Sequence, residues 1–148
     1  RIVDGDLYLE SDGVLVLELP ALESVDEMYI DVSKVAVLVL DSLQNCRSLA
    51  FDAEALATLS AISLTSVGDL DLYQTNLADL AGLGSLKQVT GTLSISGNAN
   101  LSDVSALHGL SFISTLTVGT NASLSDGAVE AWVDAVGSHN IGSMELPF

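Results

Sequence analysis

The stretch LKQVTGTLSISGNANLSDV, running from Leu86 to Val104, decides the fold. Leu93 and Ile95 are apolar, while Thr92, Ser94 and Ser96 between and around them are polar. That alternation is the mark of a short strand with one dry face and one wet face. Gly97 and Asn98 then end the alternation. A glycine suits a sharp corner, and an asparagine side chain bonds the backbone groups that a corner exposes. Leu101 and Val104 follow at spacings that point back inward.

Outward from this stretch, the same arrangement recurs along the chain. Apolar pairs one residue apart stand at Leu7/Leu9, Met28/Ile30, Leu49/Phe51, Leu70/Leu72, Leu93/Ile95 and Leu116/Val118. Their first members are 21 residues apart as far as Leu70 and 23 apart from there to Leu116; a last pair, Met144/Leu146, follows after 28. Four more apolar series keep step: Val14, Val35, Leu56, Leu77, Leu101 and Leu124; Leu17, Leu38, Leu59, Leu80 and Val104; Leu22, Leu43, Leu64, Leu86 and Leu110; Val25, Cys46, Val67, Val89 and Ile113. Five series in phase describe a solenoid in which each coil turns its apolar residues inward and no coil buries them alone. The expectation is one domain over residues 1–148, with about six coils of 21–23 residues and a cap over 124–148. In the cap, Ser125 to Val136 reads as a helix, with Ser125 or Asp126 as N-cap and Gly137 just past its end. Val129, Trp132, Val133 and Val136 share one face of that helix, and Trp132 is expected to seal the last coil. Met144/Leu146 is expected to close the sheet. Nothing comparable precedes Leu7.

The motif from Leu86 to Leu101 resembles the L-x-x-V-x-G-x-L-x-I-x-x-N-x-x-L pattern of receptor L-domain-like leucine-rich solenoids. Val3-Asp4-Gly5-Asp6-Leu7-Tyr8-Leu9 is similar to part of it, and Ile113, Leu116, Val118 and Asn121 fit L-x-x-L-x-L-x-x-N. The resemblance implies a β-rich, right-handed solenoid of short parallel strands stacked in rungs, with one capping helix at the C-terminal end. Relatives of this kind occur in receptor ectodomains, fungal wall proteins and bacterial surface proteins, which implies an extracellular or cell-surface role in binding or structure. The chain lacks the paired cysteines of the receptors, so the bacterial or archaeal surface type is the nearer match.

Composition narrows the function further. Hydrophobic residues make up 49% of the chain and charged residues 16%, which excludes disorder. The longest apolar run, Val35 to Leu40, is far short of the roughly 18 residues of a membrane helix, so no membrane insertion is expected. No basic stretch leads into an apolar run at the start, so no signal peptide is read in these residues. Twenty acidic residues against 4 basic give a net charge of −16, a surface that repels nucleic acid and attracts cations or a basic partner. The single cysteine, Cys46, excludes an internal disulfide and is expected in the core.

Strand parity sends Asp6, Tyr8, Glu10, Glu27, Tyr29, Asp31, Ser48, Ala50, Asp52, Asp69, Asp71 and Tyr73 outward in the N-terminal half, and Thr92, Ser94, Ser96, Thr115 and Thr117 in the C-terminal half. From these, Tyr8, Tyr29, Asp31, Asp52, Asp71 and Tyr73 are the candidate ligand-binding residues. Tyr8 and Tyr29 stand one rung apart, where their rings can stack and a sugar or basic side chain can pack on them. The neighbouring carboxylates are close enough to share a calcium ion, but no calcium-loop motif is present and no cofactor is called for. On the second flank, Leu15, Val16, Ala36, Val37 and Val39 are expected to point outward as an apolar patch for chain–chain contact. Asn100 and Asn121 head glycosylation sequons but occupy corners with a structural use of their own. His108 and His139 lie in no catalytic motif, and acids on an open sheet lack a cleft to raise one pKa. The reading is therefore a non-catalytic binding or adhesion module recognising a protein or glycan through the sheet face. The alternatives are a structural spacer within a larger surface protein and, more remotely, a glycoside-acting enzyme.

Overall fold

The computed structural model describes residues 1–10, 16–31 and 34–147, with Glu10 by its backbone alone. The chain winds as a parallel β-solenoid of about five turns with a single C-terminal α-helix. In chain order the strands are β1 (Ile2–Val3), β2 (Leu7–Glu10), β3 (Val16–Glu18), β4 (Ser24–Asp31), β5 (Val37–Val39), β6 (Asn45–Asp52), β7 (Thr58–Ser60), β8 (Ser66–Tyr73), β9 (Gln88–Ser96), β10 (Phe112–Val118) and β11 (Ile141–Glu145), with α1 (Asp126–Val136) before β11. The main sheet runs β1-β4-β6-β8-β9-β10-β11, with β2 beside β4 as a continuation of β1, and a second sheet runs β3-β5-β7. Every strand pair is parallel, and the register follows the sequence period. Leu7, Met28, Leu49, Leu70, Leu93 and Leu116 form one column, and Leu9, Ile30, Phe51, Leu72, Ile95 and Val118 the next. Val14 and Leu15, placed by periodicity in the first coil, lie outside the described residues.

These columns are the core. From Met28 to Leu116 every member of the first is buried, and each buried leucine removed from water contributes on the order of 1.5–3 kcal/mol. A further inward column, Leu19, Leu40, Ala61, Leu83 and Leu107, does not stand out in the sequence series. Each of its carbonyls accepts a hydrogen bond from the amide three residues on, at Leu22, Leu43, Leu64, Leu86 and Leu110. The same tight turn therefore feeds β4, β6, β8, β9 and β10.

The change of period at Leu70 has a local cause. Buried Leu56 and Leu64 are eight residues apart, whereas Leu77 and Leu86, and then Leu101 and Leu110, are nine apart. In the longer coils the second flank is not a strand but a 3-10 turn, Ala81–Leu83 and then Ser105–Gly109. A 3-10 turn rises about 2.0 Å per residue against about 3.3 Å for a strand, so the extra residue is taken up without widening the coil. The second extra residue of the Leu70 coil forms a bulge after Val89, where the β8–β9 register shifts. The carboxylate of Asp69 accepts from the Thr92 amide at 2.7 Å, replacing the ladder partner that a bulge removes. A Cβ at Gly91 would collide with that carboxylate.

The corner after the main sheet becomes polar along the chain: Ala53, then Thr75, then Asn98 and Asn121, all buried. Asn98 Oδ1 accepts from the Thr75 amide at 2.8 Å and its hydroxyl at 2.7 Å, while Nδ2 donates to the carbonyls of Leu72 and Ser96 at 2.9 and 3.1 Å. Asn121 Oδ1 accepts from the Asn98 amide at 3.0 Å and caps the rung above in the same way. Gly97 turns this corner at φ +73°. Asn121, the second sequon asparagine, is thus fully engaged, whereas Asn100 is exposed.

The two ends are closed differently. Ser125 Oγ accepts from the Ala128 amide at 3.2 Å as N-cap of α1, and Gly137 leaves the helix at φ +82°. Val129, Trp132 and Val136 are buried, and the indole N–H of Trp132 donates to the Leu107 carbonyl at 3.3 Å. In β11 the residue that seals the core is Ile141, paired with Ile113; Met144 sits over Leu116 yet is 39% exposed, and Leu146 is half-buried. At the other end Leu7, Leu9, Leu17 and Leu19 are only partly covered.

Replacing Asn98 by alanine orphans several corner groups at once and is expected to lower unfolding stability by about 1–3 kcal/mol. Asn100→Ala, at an exposed corner, should cost less than about 1 kcal/mol. Urea denaturation of both variants checks this, and equal losses would contradict the buried ladder.

Candidate functional site

Because side chains alternate across a strand, the outward residues of the main sheet form straight rows along the solenoid axis, about 4.8 Å per rung. One row is Tyr8, Tyr29, Ala50, Asp71, Ser94 and Thr117; its neighbour is Asp31, Asp52, Tyr73 and Ser96. All six candidate residues, Tyr8, Tyr29, Asp31, Asp52, Asp71 and Tyr73, therefore share one face and two adjacent rows. Tyr8, Tyr29, Asp31 and Tyr73 are exposed, and Asp52 and Asp71 half-exposed. The Tyr8 and Tyr29 rings meet at 6.3 Å between centroids with planes 55° apart. This is a tilted contact, in the range aromatic pairs prefer, rather than flat stacking. Toward the C-terminal end the face becomes a hydroxyl ladder, where Ser143 Oγ donates to Thr115 Oγ1 at 3.2 Å.

The electrostatics of the face are uneven. Arg47 holds both carboxylate oxygens of Asp26, at 3.0 and 3.1 Å, and reaches Glu27 at 3.1 Å. The hydrogen bond to Asp26, reinforced by both charges, raises the pKa of its guanidinium above the usual value. The pairing was legible in the period, since Arg47 stands 21 residues after Asp26 and hence on the next rung. It engages Arg47 at the Asp26 end of the strands. Asp31 and Asp52 lie directly opposite each other on adjacent strands, and among the described residues no ion pair involves either of them or Asp71. Like charges so placed repel. One oxygen of Asp71, Oδ1, is buried without a hydrogen-bond partner, beside the small Ala50. Among the described residues, no three metal-ligating side chains converge.

The apolar flank is narrower than strand parity implied. Val16 is 52% exposed, but Ala36, Val37 and Val39 are half-buried, and Leu15 lies outside the described residues. His108 and His139 are exposed and sit in different turns, the second-flank turn Ser105–Gly109 and the turn after α1. Asp103 resembles a catalytic acid only in carrying a shifted pKa. Its carboxyl is held below the usual range mainly by the Ser105 amide, which donates to it at 2.7 Å. One coil earlier Asp79 Oδ1 accepts from the Ala81 amide at 2.9 Å, so both carboxylates serve the turn. Among the described residues, no helix is long and apolar enough to cross a membrane. Compared with protein-family models, curated proteins and solved structures, the chain matches none.

Cys46 lies in the core as the column Val25, Cys46, Val67 demands, and is 6% exposed. Burial pushes its thiol up to about 11, with the charges of Asp26 and Glu27 adding to the effect. The native thiol is therefore protonated through neutral pH and gains thiolate character only as the pH approaches about 11. A water-soluble disulfide reagent at about pH 8 is expected to modify Cys46 at least roughly tenfold more slowly in the native protein than in denaturant. Equal rates would show that the side chain is accessible.

Proposed function

We propose that the chain is a non-catalytic recognition module of the leucine-rich, receptor L-domain-like kind, which binds a positively charged protein or glycan partner through the tyrosine–carboxylate face of its main sheet. A cell-surface or extracellular setting fits such a module. The observation that carries the reading is the placement of Tyr29, Asp31, Asp52, Asp71 and Tyr73 on one face, where among the described residues no ion pair with a lysine or arginine involves Asp31, Asp52 or Asp71. A basic side chain laid across these rows gains charge from the carboxylates and a cation–π contact from the rings. The partner then supplies what the fold withholds, a counter-charge between Asp31 and Asp52. No cofactor is needed for this.

Affinity of this kind is steered by charge and weakens with salt. The double substitution Asp52→Asn with Asp71→Asn is expected to weaken binding to lysine-rich test proteins and aminated glycans by roughly tenfold or more. It should leave the melting temperature unchanged or raise it, because it removes repulsion from the native state. Tyr73→Ala should weaken binding with little effect on stability. Array binding at two salt concentrations, together with calorimetry, measures both; a partner held equally well by all variants would move the site off this face.

A further inference from the structure

The corner that ends β8 carries a strained residue. Among the described residues, Gln74 alone of the non-glycine positions has a positive φ, +49°. One coil later Gly97 makes the same corner at φ +73°. The two backbones are bonded alike: the Gln74 amide donates to the Ser96 carbonyl at 3.1 Å, and the Gly97 amide to the Thr120 carbonyl at 2.8 Å. Glycine adopts this conformation at no steric cost, whereas glutamine does not. The corner itself therefore has no need of a glutamine. What the side chain adds lies beside Tyr73. Gln74 Cγ stands 3.1 Å, and Tyr73 Cε2 3.6 Å, from the point that a Cβ on Gly97 would occupy. The glutamine stem and the tyrosine ring thus both lie over the bare backbone of Gly97. Among the described residues the side-chain amide of Gln74 makes no hydrogen bond, and it is open to solvent. It is a free donor and acceptor beside the ring.

Given the binding role proposed for the sheet face, on which this rests, we propose that Gln74 bonds a main-chain peptide group of the partner, and that the partner is a polypeptide laying a lysine or arginine stem across Tyr73. Order along the chain carries this. Asp71, Tyr73 and Gln74 follow one another along β8 and its corner as a carboxylate, an aromatic ring and an amide. Asp52 stands directly opposite Tyr73 on the adjacent strand. A basic residue within a peptide has the same order: a cationic head, an apolar stem and a peptide unit. The head meets Asp71 and Asp52, the stem meets the ring, and the peptide N–H and C=O meet an amide that both accepts and donates. Asp71 and Tyr73 are two residues apart, about 6.6 Å at the strand rise of about 3.3 Å, a span that the four-carbon stem of lysine matches. An amino sugar carries its ammonium directly on the ring, among hydroxyls, and has no stem to cover Tyr73. A side chain kept at a strained position is the kind of outlier found at ligand clamps.

The probes are an N-acetylated oligolysine amide and spermine, matched in ammonium count; both bring charge and stem, but only the first has peptide units. Gln74→Met keeps an unbranched stem and removes the amide. It is expected to weaken oligolysine binding by roughly fivefold, the effect of one hydrogen bond, and to leave spermine binding unchanged. Gln74→Gly, which copies the next coil, should also weaken oligolysine binding while holding the melting temperature, which separates loss of contact from loss of fold. Tyr73→Ala should weaken both probes. Titration calorimetry reads the affinities and thermal melting the fold. Unchanged oligolysine binding in Gln74→Met, an equal loss for both probes, a melting temperature lowered by Gln74→Gly, or a glucosamine oligomer held more tightly than oligolysine would each overturn the proposal. If Tyr73→Ala alters neither probe, the sheet face is not the site, and the role of Gln74 falls with it.

Discussion

The structure depends on one constraint: equivalent aliphatic side chains of successive coils must stack into a shared dry column. No single coil has an interior, because a coil is one residue-layer thick and its leucines face only its neighbours above and below. The parallel ladder and the columns therefore enforce each other. A slip of one residue in any rung would turn Leu49 or Leu70 to water and bring Ser48 or Asp69 inside. The register observed from β2 to β10 is the arrangement that keeps every rung consistent at once.

That constraint also explains how coils of different length coexist. The inward columns fix the width of a coil, so added residues must be absorbed where they do not widen it. The chain uses a tighter backbone on the second flank, first strand, then 3-10 turn, then α1, and a bulge at Thr90–Gly91 tied down by Asp69. Each device brings its own polar obligation. The bulge needs a carboxylate, and the longer corners after Ile95 and Val118 carry Asn98 and Asn121, whose side chains bond back to the amides of Thr75 and Asn98. Polar residues thus enter the core where the geometry leaves amides unpaired.

The same logic accounts for what was legible in the sequence. The columns and the six outward residues of the candidate face could be read because period and parity are both visible in apolar and polar letters. The column Leu19, Leu40, Ala61, Leu83, Leu107 was hidden, since its members adjoin other apolar residues and one is only an alanine. The bulge was hidden because Val89 and Leu93 look like ordinary strand residues, and nothing in the letters says that Asp69 bonds across rungs. Ile141 was missed as the sealing residue of β11 because the pair Met144/Leu146 mimics the motif, while the preceding helix and turn obscure where the strand begins. The tilt of the Tyr8 and Tyr29 rings lies below the level of pattern altogether. It is set by side-chain packing, not by spacing.

On the main sheet face, distance decides which charges matter. Rungs are about 4.8 Å apart, whereas the screening length at physiological ionic strength is about 8 Å. Asp31 and Asp52 therefore repel at nearly full strength, while carboxylates several rungs apart scarcely sense each other. The cost of the acidic half is local, and so is the attraction it offers: a basic group gains only by lying between adjacent rungs. The C-terminal half presents hydroxyls that neither repel nor attract at range. A solenoid whose interior is satisfied by aliphatic columns has no internal use for charge at Asp31 and Asp52. Those positions accept serine on the rungs of the other half without harm, as Ser96 shows. Carboxylates kept where they repel, at positions where the fold itself needs no charge, are the physical feature that sets this half of the face apart from the other.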